Sequence, residues 1–263
     1  MDVLFQPAEE TGEGAHAVLS DQQFDISRYT AAIALHNIPG APMHQIITRV
    51  GNFTPAVHSI IFRLHGKTAH AAQPLTGHNP AYAIGQIIEW ARTNEQVNEE
   101  ADHFLLITPV YVTVGSKDYG ISAGYGEVHF TMRAWQQEEL DAATDKLISA
   151  VNKISQKHQL SVENELLAEF RANVNDQVVV NKIIEAANTL GMDHTHRDRP
   201  FPWGEDFGIF TQSLPGAMFG LGSGENTPAL HNPDYDFPDE IIETGASVFY
   251  QTCSNLLKTT GDV

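Results

Sequence analysis

The sequence predicts an α/β protein whose open sheet is interrupted by a smaller α+β unit, and three patterns point that way. Both ends of the chain alternate buried-strand runs with helical ones. The middle reads strand, helix, strand, strand, helix, strand. The 263 residues, 42% of them hydrophobic, can supply a core to each part.

Taken in order, Val3 to Phe5 and Tyr29 to Leu35 read as buried strands of a parallel sheet, separated by a short helix near Gly14 to Leu19. In the inserted unit, Ile60, Phe62 and Leu64 alternate with Ser59, Ile61 and Arg63, which predicts a strand with one apolar face. Asn79 and Pro80 supply an N-cap and a first-turn proline for a helix whose core residues are Ile84, Ile87, Ile88 and Ala91. Phe104 to Val114 is a β-rich run, and Val128, Phe130, Met132 and Ala134 alternate with polar neighbours. Leu140, Leu147, Val151 and Ile154 mark a second helix, and Leu160 to Leu167 the last strand. This order matches a split βαβ, ferredoxin-like unit.

The second flank begins with a helix over Val178 to Leu190 and a strand over Ala217 to Leu221. A closing helix over Pro238 to Leu257 carries Asp239 and Glu240 in its first turn, where they suit the helix dipole. Its apolar stripe is Ile242, Ala246, Phe249, Cys253 and Leu256, which predicts a core position for the thiol. The expected division is residues 1–53 and 169–263 for the α/β domain and 54–168 for the inserted one.

The formal net charge of -18 would repel both a nucleic-acid backbone and an anionic membrane surface. One cysteine cannot form a disulfide within the chain, which favours a reducing, cytoplasmic setting. The first residues have neither a basic start nor a long apolar run, so no signal peptide or membrane span is expected.

In open α/β sheets ligands gather beyond the carboxyl ends of the strands. Glu9 and Glu10 follow the first predicted strand, His36 follows the second, and His231 follows the strand that ends at Leu221. A carboxylate with two imidazoles suits zinc, manganese or cobalt, and a neighbouring carboxylate can take a proton from water activated by the ion. Each residue also has an ordinary alternative. Adjacent glutamates suit a solvated first turn, and any one of 13 histidines can be a surface or hydrogen-bonded residue.

Five runs occur together: FQPAEETGEGA (Phe5 to Ala15), ALHNIPG (Ala34 to Gly40), GKTAHAAQP (Gly66 to Pro74), WGEDFGIF (Trp203 to Phe210) and PALHNPDYDF (Pro228 to Phe237). In order and spacing they resemble the metal-dependent amidohydrolase family of aminoacylases, hippurate hydrolases and auxin-conjugate hydrolases. The resemblance implies a phosphorylase/hydrolase-like open-sheet catalytic domain interrupted by a dimerisation or lid domain, and so a homodimer. It implies two divalent metal ions per subunit, with Glu9 as general base and Glu10, His36 and His231 as metal ligands. His70 matches a lid histidine that stabilises the developing oxyanion, from the partner subunit in dimers. Arg133, on the polar face of its strand, could pair with a substrate carboxylate or equally form a surface ion pair. Glu205 and Asp206 lie in a run near the family's site, but suit the acidic first turn of a helix just as well. The substrate implied is an N-acyl amino acid or a small peptide.

Two departures qualify these expectations. Family members carry a Cys-Gly-His-Asp segment about a hundred residues before the PAEE run, supplying two further metal ligands. This sequence does not contain it, so fewer metal ions, missing sheet strands and impaired catalysis are expected. The other reading is a dimerising chain without activity, or a module completed by another chain. In addition, Gly120 to Gly124 replaces an Asn-x-Ile-Pro-Asp run that forms part of the substrate side in relatives.

Overall fold

In the computed structural model of the chain, residues 1–99, 101 and 103–260 are described. The chain divides into two compact units, one of Met1–Pro55 with everything from Arg171 onward, the other of Ala56–Phe170. The first unit starts with α1 (Gly14–Ser20), β1 (Ala32–Ile38), β2 (Ile46–Thr48) and β3 (Gly51–Thr54). The second unit follows as β4 (Ala56–His65), β5 (Ala69–His70), α2 (Ala81–Asn94), β6 (Leu105–Val114), β7 (Ile121–Ser122), β8 (Tyr125–Ala134), α3 (Gln137–Lys157) and β9 (Ser161–Phe170). The chain then returns to the first unit with β10 (Asn173–Asn175), α4 (Gln177–Thr189), β11 (His194–His196), α5 (Gly208–Thr211), β12 (Gly216–Gly222) and α6 (Glu240–Thr260).

The sheet of the first unit has the order β1-β12-β2-β11. It is mixed, not parallel as the sequence suggested: β1 with β12 and β2 with β11 are parallel, while β12 and β2 run antiparallel. The link from β1 to β2 is the cause. β1 and β2 flank β12, and a parallel arrangement of the two would need a crossover of a dozen or more residues, whereas Pro39 to Gln45 only reverses the chain, through Gly40 and His44 at positive φ.

The period of two along β1 and β12 sorts their side chains between two cores. Ile33, Leu35, Phe219 and Leu221 pack with Val180 and Ile183 of α4 and with Ile241 and Val248 of α6. Ala32, Ala34 and Met218 face the other way, toward Ala15, Phe201, Phe207 and Phe210. His36 has the same parity as Ala34 and lies on that second face.

In the second unit the antiparallel sheet has the order β6-β8-β4-β9. Helices α2 and α3 pack together and against this sheet. The buried residues include the alternating ones read from the sequence, Ile60, Phe62 and Leu64 of β4 and Val128, Phe130 and Met132 of β8; Ile61, expected on the other face of β4, is buried as well, since β4 is a central strand between β8 and β9. Ile84 and Ile87 of α2 and Leu140, Leu147 and Val151 of α3 complete this core. Each such side chain, fully buried, contributes roughly 1.5–3 kcal/mol.

Several expectations are corrected. Val3 to Phe5 form no strand, and Phe5 is 91% exposed, because no described strand pairs with them and an isolated strand is unstable in water. The next strand runs over Ala32–Ile38, and most of it is only half-buried, since its one described partner is β12. Pro80, not Asn79, occupies the N-cap position of α2, although Asn79 Oδ1 still accepts from the Ala81 N–H at 2.9 Å. In α6 the buried line is Ile241, Gly245, Val248 and Thr252, while Ile242 is exposed and Cys253 half-buried. The apolar arc of that helix is wide, and the line that meets the sheet lies one residue from the one the sequence favoured. Among the described residues no helix is long and apolar enough to cross a membrane.

Candidate active site

The segment leading into α1 is held by one buried carboxylate. Asp206, 1% exposed, accepts from Gln6, whose Nε2 donates to its two oxygens at 2.7 and 2.6 Å. Its Oδ2 also accepts the Ala15 N–H, one of the free amides of the first turn of α1, at 2.9 Å. Between these anchors Glu9–Thr11 make a single 3₁₀ turn, entered through Ala8 at φ 52° and left through Gly12 at φ 74°. Gly14 is required by contact: a Cβ there would fall 1.7 Å from Pro7 O. The spacing of PAEETGEG is thus a backbone specification as well as a set of side chains.

This turn brings the Glu9 carboxylate to Glu205, with which it shares a hydrogen bond, and to the Asp206 N–H, which donates to it. Glu205 is 6% exposed. Burial first, then the charges of Glu9 and Asp206, push its pKa up to about 9. At neutral pH Glu205 therefore keeps a proton and donates it across the pair. Burial, followed by the Asp206 charge, also raises Glu9, while the Asp206 N–H opposes the shift.

His36 completes the cluster from the end of β1. Its Nδ1–H donates to Asn37 O at 2.7 Å, and Nε2 stands 3.3 Å from Glu205 Oε1. Burial holds this imidazole below its usual pKa against the opposing pull of the Asn37 carbonyl and Glu10. The ring is then neutral at pH 7, the form that binds metal. Trp203 flanks it with ring centroids 5.4 Å apart, and Phe201 packs on Trp203 at 4.3 Å.

Glu10 and His231 both lie within electrostatic reach of His36. His231 is exposed, at φ 65°, in the turn before Tyr235. Asn37 Nδ2 donates to the Tyr235 hydroxyl, tying the end of β1 to that turn. Among the described residues no three His, Cys, Asp or Glu side chains are grouped closely enough to hold a metal ion.

His70 and Arg133 belong to the second unit. His70, on β5, is exposed and its Nδ1 accepts the Ala72 N–H at 3.1 Å. Arg133, on β8, is half-buried between Val57 and Leu106 on the neighbouring strands, and burial lowers its pKa.

Sequence reasoning gave Glu205 and Asp206 no preferred role. The structure places both ahead of α5, buried beside Glu9, and not in a helical first turn. Gln6 and Trp203 also went unassigned, although both lie inside the motif runs.

A cluster of carboxylates and one neutral imidazole at the end of an α/β sheet is hydrolase-like in class. The sequence pattern of Peptidase family M20/M25/M40 matches residues 1–255, and the chain belongs to that family. It is 25% identical over 256 residues to N-acetylcysteine deacetylase of Bacillus subtilis (strain 168), covering 97% of this chain and 66% of the relative. It is 27% identical over 245 residues to N-acetyldiaminopimelate deacetylase of Exiguobacterium sibiricum, covering 91% and 64%. In fold it is similar to a Bacillus subtilis protein described as a dinuclear metal binding peptidase from the M20 family. That match has a TM-score of 0.79 at 24% identity and covers 97% of this chain and 64% of the other. The chain spans just under two thirds of the length of these relatives.

Proposed function

We propose that the chain carries the general base and part of the metal site of an amidohydrolase acting on N-acyl amino acids or small peptides. The observation that carries this reading is the placement of the Glu9 carboxylate. It is half-buried, receives hydrogen bonds from Glu205 and the Asp206 N–H, and lies in one cluster with a neutral His36. The names of the relatives, two deacetylases of N-acetylated amino acids, support the substrate class.

The donor set suits a divalent cation. Glu9, Glu205 and Asp206 crowd one another, no Lys or Arg among the described residues offsets their charge, and the adjacent imidazole is neutral. Glu10, His36 and His231 would hold the ion only by drawing closer together than they stand here. When bound it supplies Lewis acidity and makes a water easier to deprotonate. Glu9 takes the proton of the attacking water and passes it to the leaving amine. Glu205, itself protonated, orients the Glu9 carboxylate through their shared hydrogen bond.

The order and antiparallel pairing of the second sheet support a ferredoxin-like lid and dimerisation role. Its edge strand β6 exposes Val110, Tyr111 and Val112. His70 is assigned to the oxyanion and Arg133 to the substrate carboxylate, on their positions in the sequence runs. The lone Cys253 supports a reducing, cytoplasmic setting.

The absence of a three-ligand group among the described residues favours a second reading, in which the chain assembles without hydrolysing anything. Metal analysis together with assays on N-acetyl and N-benzoyl amino acids tests the proposal. Bound metal with turnover is the expected result; no metal and no turnover supports the second reading.

A further inference from the structure

The edge of the first sheet that lies farthest from β1 carries two histidines with no part in the hydrolase reading. Strand β11 reads His194-Thr195-His196, so the period of two sends both imidazoles from the same face, about 6.6 Å apart along the strand. Their parallel partners on β2 are Ile46 and Thr48, which places them on the face against which α4 packs. His36 leaves the opposite face, at the end of β1. The pair therefore stands apart from the carboxylate cluster.

Thr48 relates the two rings. It is the register partner of His196, and its Oγ1 lies 2.7 Å from His194 Nε2. Among the described residues no other hydrogen bond involves either ring, which leaves His194 Nδ1 and both nitrogens of His196 uncommitted. His194 is half-buried and His196 exposed, so the pair borders solvent. Burial, then the charge of His196, lowers the His194 pKa, and a neutral imidazole is the form that binds metal. The neighbouring cations are engaged elsewhere. Arg197 lies over the Phe201 ring, its Cζ 4.2 Å from the centroid, and Arg49 donates to the carbonyls of Asn52, Arg197 and Asp198.

We propose that His194 and His196 bind a divalent transition-metal ion as a pair of imidazole ligands. No third ligating side chain is grouped with them among the described residues, so water completes the coordination. In the complex the His194 Nε2–H donates to Thr48 Oγ1 and Nδ1 takes the ion, the outer hydrogen bond fixing the tautomer as it does for most metal-bound histidines. Imidazole nitrogen without thiolate or carboxylate favours Cu(II), followed by Ni(II) and Zn(II), over Mg(II) or Ca(II). The ion would brace a strand of three residues that has a backbone partner on one side only.

Titration of Cu(II) into the full chain, followed by calorimetry and by the histidine C2–H resonances, tests this. The chain carries His36→Ala and His231→Ala, so that the ligands proposed for the hydrolase cannot compete for the ion. Binding should be saturable, and the paramagnetic ion should broaden the resonances of His194 and His196 before those of the other histidines. His194→Gln and His196→Gln should each weaken binding by at least about tenfold. His196 is exposed, so its variant keeps the test open if His194→Gln fails to fold. No saturable binding, broadening that begins at other histidines, or unchanged affinity in His196→Gln overturns the proposal. None of these outcomes depends on hydrolysis, so this site and the hydrolase reading stand or fall separately.

Discussion

Glu205 Oε1 stands 3.3 Å from His36 Nε2, although the two residues come from the two sequence segments that the second unit separates. On its other side Glu205 shares a hydrogen bond with Glu9. One carboxyl therefore stands between the proposed base and a proposed metal ligand, bonded to the first and in close contact with the second.

Glu9→Gln should lower hydrolysis of N-acetyl amino acids by at least about 100-fold in any preparation that shows turnover. Metal content, measured by elemental analysis, should not change. Full activity in this variant would remove Glu9 from the role of base.

Stability of the metal-free chain should fall as pH rises. Glu205 keeps its proton up to about pH 9 when folded, against 4.5 as its ordinary value. Between those values the folded state binds more protons than the unfolded one, so unfolding is favoured by each step upward in pH. The contribution is complete below about 4.5 and lost through about 9. Thermal melts at pH 5, 7 and 9 in a chelator should show a steeper decline for the wild-type chain than for Glu205→Gln. Parallel declines would reject the bridging proton.

His36→Ala should weaken binding of Co(II) or Zn(II) by at least about tenfold, followed by titration against a competing chelator. The fold should persist, because His36 lies at the end of β1 and is only half-buried.

Gly14→Ala should destabilise the first unit by roughly 1–3 kcal/mol, the usual cost of forcing atoms into a packed position. The added Cβ would lie 1.7 Å from Pro7 O, so the Pro7 to Gly14 turn must open. Hydrogen exchange at the Ala15 amide, now bonded to Asp206, should accelerate in the variant.

Residues 56–170 expressed alone should unfold cooperatively, with Trp90 and Trp135 reporting a single transition. The unit is continuous in sequence and has its own core of Phe62, Phe130, Leu140 and Leu147. A broad, non-cooperative melt would contradict this.

Much of the second unit was legible because its signals are local. Ile60, Phe62 and Leu64, and Ile84, Ile87 and Ala91 at helical spacing, are all buried as read, although Ile61 on the other face of β4 is buried too. The first unit was harder. Strands β2, β3, β10 and β11 have three or four residues each, too short to show a period. Val3 to Phe5 have strand composition, but a strand also needs a neighbour, and composition cannot supply one. At the site, the strand-end argument holds for the placing of His36 near the end of β1 but not for Glu9, which no strand precedes. The part played by Glu205 was not legible, because a Gly-Glu-Asp run before an apolar stretch looks the same whether it caps a helix or is buried against another carboxylate.

The chain leaves the first unit through β3 and returns through β10, and these two strands pair antiparallel, Thr54 with Asn173, Asn52 with Val174 and Gly51 with Asn175. The detour over Ala56–Phe170 therefore departs and arrives at neighbouring points. A short turn grafted across Thr54 and Asn173 would excise it without breaking any backbone pair of the first sheet. That junction is a natural splice point, at which one module can be exchanged for another of different length.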